Sequence, residues 1–188
     1  MRGSSSILLV PLLILCAGCA GGTSSGLAQG HATPVSPMKL GSPDFAQGSF
    51  IPARFTCKGG DVSPVLQWTR PPGNTQAFAL IVEDPDAPGG TWTHWLLYNL
   101  PAAARALPQG VPKTAEISGG GRQGVNDFGL IGYGGPCPPP GKPHRYFFRL
   151  YALNAPLALD AGASKEQVHA ALQGRVVAET ELMGRFKR

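Results

Sequence analysis

No apolar run in this sequence is long enough to cross a bilayer as a helix. The leading run, Ile7 to Leu15, is nine residues, against the ~20 that a spanning helix needs. Lys and Arg form no run or stripe, which excludes the electrostatic footprint of a nucleic-acid binder. There is no internal repeat and no heptad pattern, so neither a solenoid nor a coiled coil is encoded. Within residues 38–188 there is no Gly-x-Ser-x-Gly elbow for a hydrolytic nucleophile. Cysteine is scarce, four in 188 residues, and neither Cys57 nor Cys137 has the ligand spacing of a zinc site.

What is present begins with an export signal. Arg2, the short apolar run and the small residues that follow have the layout of a secretory leader over residues 1–18. Ala17-Gly18-Cys19 looks like a bacterial lipobox, in which Cys19 would be diacylated, although Cys16 stands where Leu is usual. Ordinary cleavage near Ala20 is the competing reading. Several acyl chains would anchor the protein firmly at ~0.8 kcal/mol per buried CH₂. No acidic residue follows Cys19 directly, which by analogy with Gram-negative sorting favours an outer-membrane lipoprotein facing the periplasm. The alternative is a soluble periplasmic or secreted form. Residues 19–37 are mostly Gly, Ser, Thr, Ala and Pro. They cannot bury enough surface to offset chain entropy and read as a flexible tether.

Residues 38–188 are the size of one domain. Without Arg2 the chain has 15 basic and 11 acidic residues, a net +4, spread as ordinary surface charge. Cys57 and Cys137 remain after the leader. In an exported chain they most simply form one disulfide closing a loop of about 80 residues, worth ~4 kcal/mol in the chain-entropy model. A reactive thiol or half a metal site are the rivals.

Frequent Gly and Pro punctuate short apolar runs, the pattern of a β-rich sandwich. Phe78 to Val82 has no polar interruption and reads as a central strand. Trp92 to Asn99 alternates, with Trp92, His94, Leu96 and Tyr98 expected on one face and Thr93, Trp95, Leu97 and Asn99 on the other. His144 to Leu153 is a third strand. Phe50 to Phe55 and Val65 to Trp68 are weaker candidates, and Val176 to Phe186 a final extended segment. Residues 118–141 read as loop. One helix is signalled by Ser164 and Gln167 in capping-box spacing, by Val168, Ala171 and Leu172 on one side, and by Gly174 at the end.

Three segments carry chemistry. Asp84-Pro85-Asp86-Ala87-Pro88 fixes two carboxylates in a stiff turn after a buried strand. Trp92-Thr93-His94-Trp95 brings an imidazole and indoles into the next strand. Gly134-Gly135-Pro136-Cys137-Pro138-Pro139 leads toward His144-Arg145-Tyr146. Singly, each has a bland explanation, since Asp-Pro-Asp is a good turn former and a lone His on an apolar strand is usually a satisfied core residue. Together they place imidazoles at strand starts after rigid loops, where sites are built.

With Phe55 to Pro64, Gly124 to Gly129 and Gly132-Tyr133, these segments resemble the phosphatidylethanolamine-binding protein family, in its bacterial Raf-kinase-inhibitor-like branch. The likeness runs from about Phe50 to Arg188. The family's Gly before His-Arg-Tyr is displaced, because Lys142-Pro143 precedes His144, a departure that the branch tolerates. The resemblance implies a mainly β fold, a Greek-key sandwich of two antiparallel sheets with one or two short peripheral helices. It also implies a pocket for small anions or phospholipid headgroups, walled by Asp84, Asp86, Pro88, Trp92, His94, Gly135, Pro136, His144 and Tyr146. No cofactor and no metal is called for.

Two imidazoles and a Tyr hydroxyl can donate to phosphate oxygens, and a carboxylate beside a His orients it and favours its charged form. Phosphate binding is then expected to weaken as pH rises past about 7. The reading is a non-enzymatic envelope protein that binds such ligands and acts as an inhibitor or regulator of another protein. A protease target and a homodimer are left open by the resemblance. A hydrolase using an Asp-His pair in the same pocket is the alternative, and it lacks a nucleophile. A metal site from His94, His144 and the two Asp residues is a third idea that nothing in the spacing requires.

Overall fold

The computed structural model describes residues 37–188. The expected leader, Cys19 and all but the last residue of the tether lie outside the described residues. Strands β1 (Leu40–Gly41), β2 (Leu66–Trp68) and β5 (Ala106–Leu107) form a small sheet in that order. Strands β6 (Arg122–Gln123), β4 (Trp92–Pro101), β3 (Ala77–Asp84), β7 (His144–Leu153) and β8 (Val176–Phe186) form a larger one, again in that order. Every pairing is antiparallel. Helix α1 (Lys165–Leu172) packs on the large sheet.

The uninterrupted apolar run of β3 is explained by its position. All of its residues are buried, because hydrophobic layers cover it on both sides. On one side Phe78, Leu80 and Val82 meet Leu66, Trp68 and Leu107 of the small sheet and Phe148 and Leu150 of β7. On the other, Ala79 and Ile81 meet Leu96, Tyr98, Val168 and Leu172. At about 25 cal/mol per Å² of apolar area removed from water, these two layers are the main source of stability. Helix α1 starts as its sequence dictates. Ser164 Oγ accepts from Gln167 N, and Gln167 Oε1 accepts from Ser164 N at 2.9 Å. Gly174, at φ 70°, ends it in the left-handed region open to glycine.

Three expectations need correction. Phe50 to Phe55 is not a strand. Phe50 makes only an isolated bridge to Arg185, and Ala53–Phe55 is a 3₁₀ turn. Pro52 has no N–H for a ladder, and its carbonyl accepts from Phe55 N at 3.0 Å instead. The stretch 118–141 is not all loop, since Arg122 and Gln123 pair with Tyr98 and Leu97. The strict alternation along β4 also fails. Val82 pairs with Trp95 but Glu83 with Thr93, so His94 is an extra residue, a β-bulge. A second irregularity falls at Asn99, whose φ is 59° and whose amide clasps Leu157 N and O. As a result Trp92 pairs with Asp84, while Leu96 and Tyr98 face the helix.

Candidate functional site

Antiparallel order brings the end of β3 and the starts of β4 and β7 to one edge of the large sheet. Asp84 closes β3 and is only 3% exposed. Its Oδ1 accepts from Asp86 N at 2.8 Å, so the two prolines and this side-chain turn set the shape of residues 84–88 together. Its Oδ2 accepts from His144 Nδ1 at 2.8 Å, at the first residue of β7. These two residues and Ala87, Pro88, Trp92, His94, Phe128, Cys137, Pro138 and Pro139 line a cavity of about 200 Å³.

His94 reaches this cavity because of its bulge. Without the extra residue it would follow Leu96 and Tyr98 to the helix side. Its Nδ1 donates to the carbonyl of Gly134 at 2.7 Å. Its ring stands edge-on to Phe128, with centroids 5.3 Å apart, and to Tyr146 at 5.2 Å. Burial pushes the imidazole's pKa down, and the Gly134 carbonyl and the charges of Asp84 and Asp127 offset this only in part. Among the described residues the buried Tyr146 hydroxyl has no hydrogen-bond partner. Burial, with the Asp84 carboxylate next in importance, holds its pKa far above the usual tyrosine range.

The third wall is a loop folded by its own side chains. Asn126 Oδ1 accepts from Phe128 N at 3.0 Å and Leu130 N at 3.1 Å, and its Nδ2 donates to Gly132 O at 2.9 Å. Asp127 Oδ2 accepts from Thr93 N at 2.7 Å and from Lys165 Nζ at 2.9 Å. The Phe128 ring is thereby set against Trp92, 5.4 Å between centroids. A Cβ on Gly134 would lie 2.7 Å from that ring, so a larger residue there would push Phe128 out of its place.

Sequence reasoning named nine residues for this site, and the structure gathers five of them on the cavity: Asp84, Pro88, Trp92, His94 and His144. The other four stand behind it. Asp86 is clamped by Arg145, whose backbone N and Nε reach Oδ2 at 2.9 Å and whose Nη2 reaches Oδ1 at 2.7 Å. The guanidinium holds the Asp86 carboxyl below its ordinary pKa. Gly135 N donates to Asp61 Oδ1 at 2.6 Å, and Pro136 O accepts from Cys57 N at 3.2 Å. Tyr146 lies beneath His94. Ala87, Phe128, Cys137, Pro138 and Pro139 were not foreseen as walls. Phe128 had a signal in Asn126-Asp127, two side chains suited to capping a tight loop. Cys57 and Cys137 form a disulfide, so one half of the cross-link faces the cavity. Among the described residues no group of three or more His, Cys, Asp and Glu side chains is arranged to hold a metal ion.

Fold and cavity together define a β-rich binding protein with a small site at the strand ends. The sequence pattern of the family described as phosphatidylethanolamine-binding protein matches residues 41–187, and the chain belongs to that family. It is 47% identical over 151 residues to a UPF0098 protein of Methanothermobacter thermautotrophicus, covering 80% of this chain and 99% of the relative. A UPF0098 protein of Pyrococcus horikoshii is 40% identical over 191 residues, covering all of this chain and 91% of the relative. Two crystal structures are similar. The phosphatidylethanolamine-binding protein homolog CT736 of Chlamydia trachomatis is 39% identical with a TM-score of 0.73, covering 81% of this chain and 98% of that one. E. coli YbcL, described as a member of the mammalian PEBP family, is 34% identical with a TM-score of 0.75, covering 81% and 99%.

Proposed function

We propose that this protein is a non-enzymatic binding module that takes a small oxyanion or a phosphate-bearing headgroup into the cavity beside Asp84 and His144. The observation that carries the reading is the Asp84–His144 contact at 2.8 Å on the wall of a cavity of about 200 Å³. That volume holds several waters at ~30 Å³ each, hence a ligand of headgroup size rather than an acyl chain. His144 is oriented by Asp84 and turns its Nε2 edge toward a ligand. Aromatic and proline walls exclude water and fix the ligand's orientation, the usual plan of a small-molecule site. Among the described residues the lining has no Ser or Thr, and Cys137 is in a disulfide, which supports binding over hydrolysis. The disulfide fits an exported protein, consistent with the lipoprotein reading of Cys19 and an envelope location. A regulatory role toward a partner protein, a protease for instance, belongs to the same proposal.

Calorimetry or native mass spectrometry with phosphate, acetate and phosphoethanolamine tests it. Asp84→Ala and His144→Ala are each expected to lose binding. Unchanged binding in both variants removes the cavity from the reading. Labelling with radioactive palmitate in cells, compared with Cys19→Ser, tests the anchor.

A further inference from the structure

We propose that the Cys57–Cys137 disulfide is an exchange site for a dithiol, attacked at the Cys57 sulfur with Cys137 as the leaving thiolate, and that opening it frees the proline-rich loop that follows Cys137. The inference does not depend on which ligand the cavity takes. The two halves of the disulfide are not equivalent. Cys57 is exposed in a short loop beside exposed Lys58, whereas Cys137 is half-buried. Access therefore favours attack at Cys57. The leaving side favours it too. Arg188 Nη1 stands 3.9 Å from Cys137 Sγ, and a cation beside a sulfur stabilises its thiolate. Asp84, the carboxylate that shares the cavity lining with Cys137, is already engaged by Asp86 N and His144 Nδ1. A stabler leaving thiolate speeds exchange, and exposed disulfides are the labile ones.

In the first step a thiolate of the dithiol forms an S–S bond to Cys57 as the Cys57–Cys137 bond breaks, and the electron pair leaves on Cys137. In the second, the dithiol's other sulfur loses its proton and bonds to the first, displacing the Cys57 thiolate. The two protons of the dithiol end on Cys57 and Cys137. The protein disulfide is reduced by two electrons and the dithiol is oxidised to its own disulfide.

The consequence lies in residues 137–143, Cys-Pro-Pro-Pro-Gly-Lys-Pro. Their four prolines have no N–H to donate. Among the described residues, the Arg188 contact is the one hydrogen bond that this stretch makes. Just before it, Pro136 O accepts from Cys57 N at 3.2 Å. Just after it, His144 is held by Asp84. Pro138 is buried, while Pro139 to Pro143 are exposed. Apart from the packing of Pro138, the disulfide is what ties the stretch down. Cys137, Pro138 and Pro139 line the cavity, so the redox state of one exposed cross-link sets how firmly that wall stands.

The test starts with the native protein and glutathione, quenched with acid at early times, the adduct being located by peptide mass spectrometry. Glutathione is expected on Cys57 in several-fold excess over Cys137. Equal or reversed labelling overturns the proposal, and so does a disulfide that resists thiols while the protein stays native. Arg188→Gln should slow the first step about two- to threefold; an unchanged rate overturns the role of Cys137 as the favoured leaving group. After full reduction with dithiothreitol, NMR order parameters of the Cys137, Gly141 and Lys142 amides should fall while the near-UV circular dichroism stays native. Unchanged order parameters, or loss of the native near-UV signal, overturn the release of the loop and leave the disulfide a structural staple.

Discussion

Glu83 and Asp84 are neighbours on β3, and each meets an imidazole on a different face of the sheet. Glu83 looks toward the helix side, where Arg149 reaches it at 3.0 Å and His169 at 3.2 Å, with Arg149 also 3.3 Å from Glu181. Asp84 looks into the cavity, and its ion-pair partner there is His144 at 2.8 Å. The first carboxylate is answered by a guanidinium that is always charged, and the result is a clasp between three strands and a helix. The second is answered by a titratable ring and a single backbone N–H, beside an open space. A carboxylate–imidazole contact does not by itself mark a site. The marks are the absence of a permanent countercharge and the volume beside the pair.

The cavity side also carries a covalent staple, and removing it is the largest expected effect. Cys57→Ala with Cys137→Ala opens a cross-link spanning 80 residues and should cost about 4 kcal/mol in chemical denaturation. A loss under about 1 kcal/mol would mean that the Gly135 and Pro136 backbone contacts hold this end unaided. Next comes the exchange between neighbours. Asp84→Asn should weaken phosphate binding about tenfold or more, equivalent to ~1.4 kcal/mol. Glu83→Gln should leave affinity unchanged and lower stability by about 1 kcal/mol, since Arg149 is about a third exposed. Equal effects on affinity would erase the contrast.

Acid should act through His94. Its folded pKa lies below 6.5, so below that pH the unfolded chain binds a proton that the folded chain does not. Stability is therefore fully present above pH ~6.5 and declines as pH falls, by at most ~1.4 kcal/mol per pH unit from this residue. Urea unfolding between pH 6.5 and 5 should show a shallower decline in His94→Asn, and identical slopes would refute this. The smallest effect is Asp86→Asn. The Arg145 it releases is half exposed, so a loss of at most about 1 kcal/mol and unchanged phosphate affinity are expected. A clear loss of affinity would return Asp86 to the binding wall.

Most of this architecture was legible because the sequence states it locally. The runs of β3, β7 and β8 and the Ser164 cap are each written in consecutive residues, and so is the turn from Asp84 to Pro88. The cavity was legible in part. Motifs name residues that matter without saying whether they touch a ligand or hold those that do, and Asp86, Gly135, Pro136 and Tyr146 are near the site yet off its surface. Phe128 escaped because its place depends on hydrogen bonds between Asn126 and its own loop, together with the space left by Gly134. The two-residue strands β1, β5 and β6 have no periodicity to read. The faces of β4 were misjudged for a sharper reason, since period-two arithmetic assumes one residue per step and His94 is an extra step.

That extra residue limits how the site can be moved. A protein engineer who grafts Asp84, His94 and His144 onto a regular antiparallel sheet at matching positions would find the second imidazole on the back of the scaffold, pressed among aliphatic side chains. The transferable unit is the pair of strands with its one-residue mismatch. A homologue that lost the mismatch by a single deletion before Trp95 would keep nearly all of its sequence and lose one wall of its cavity.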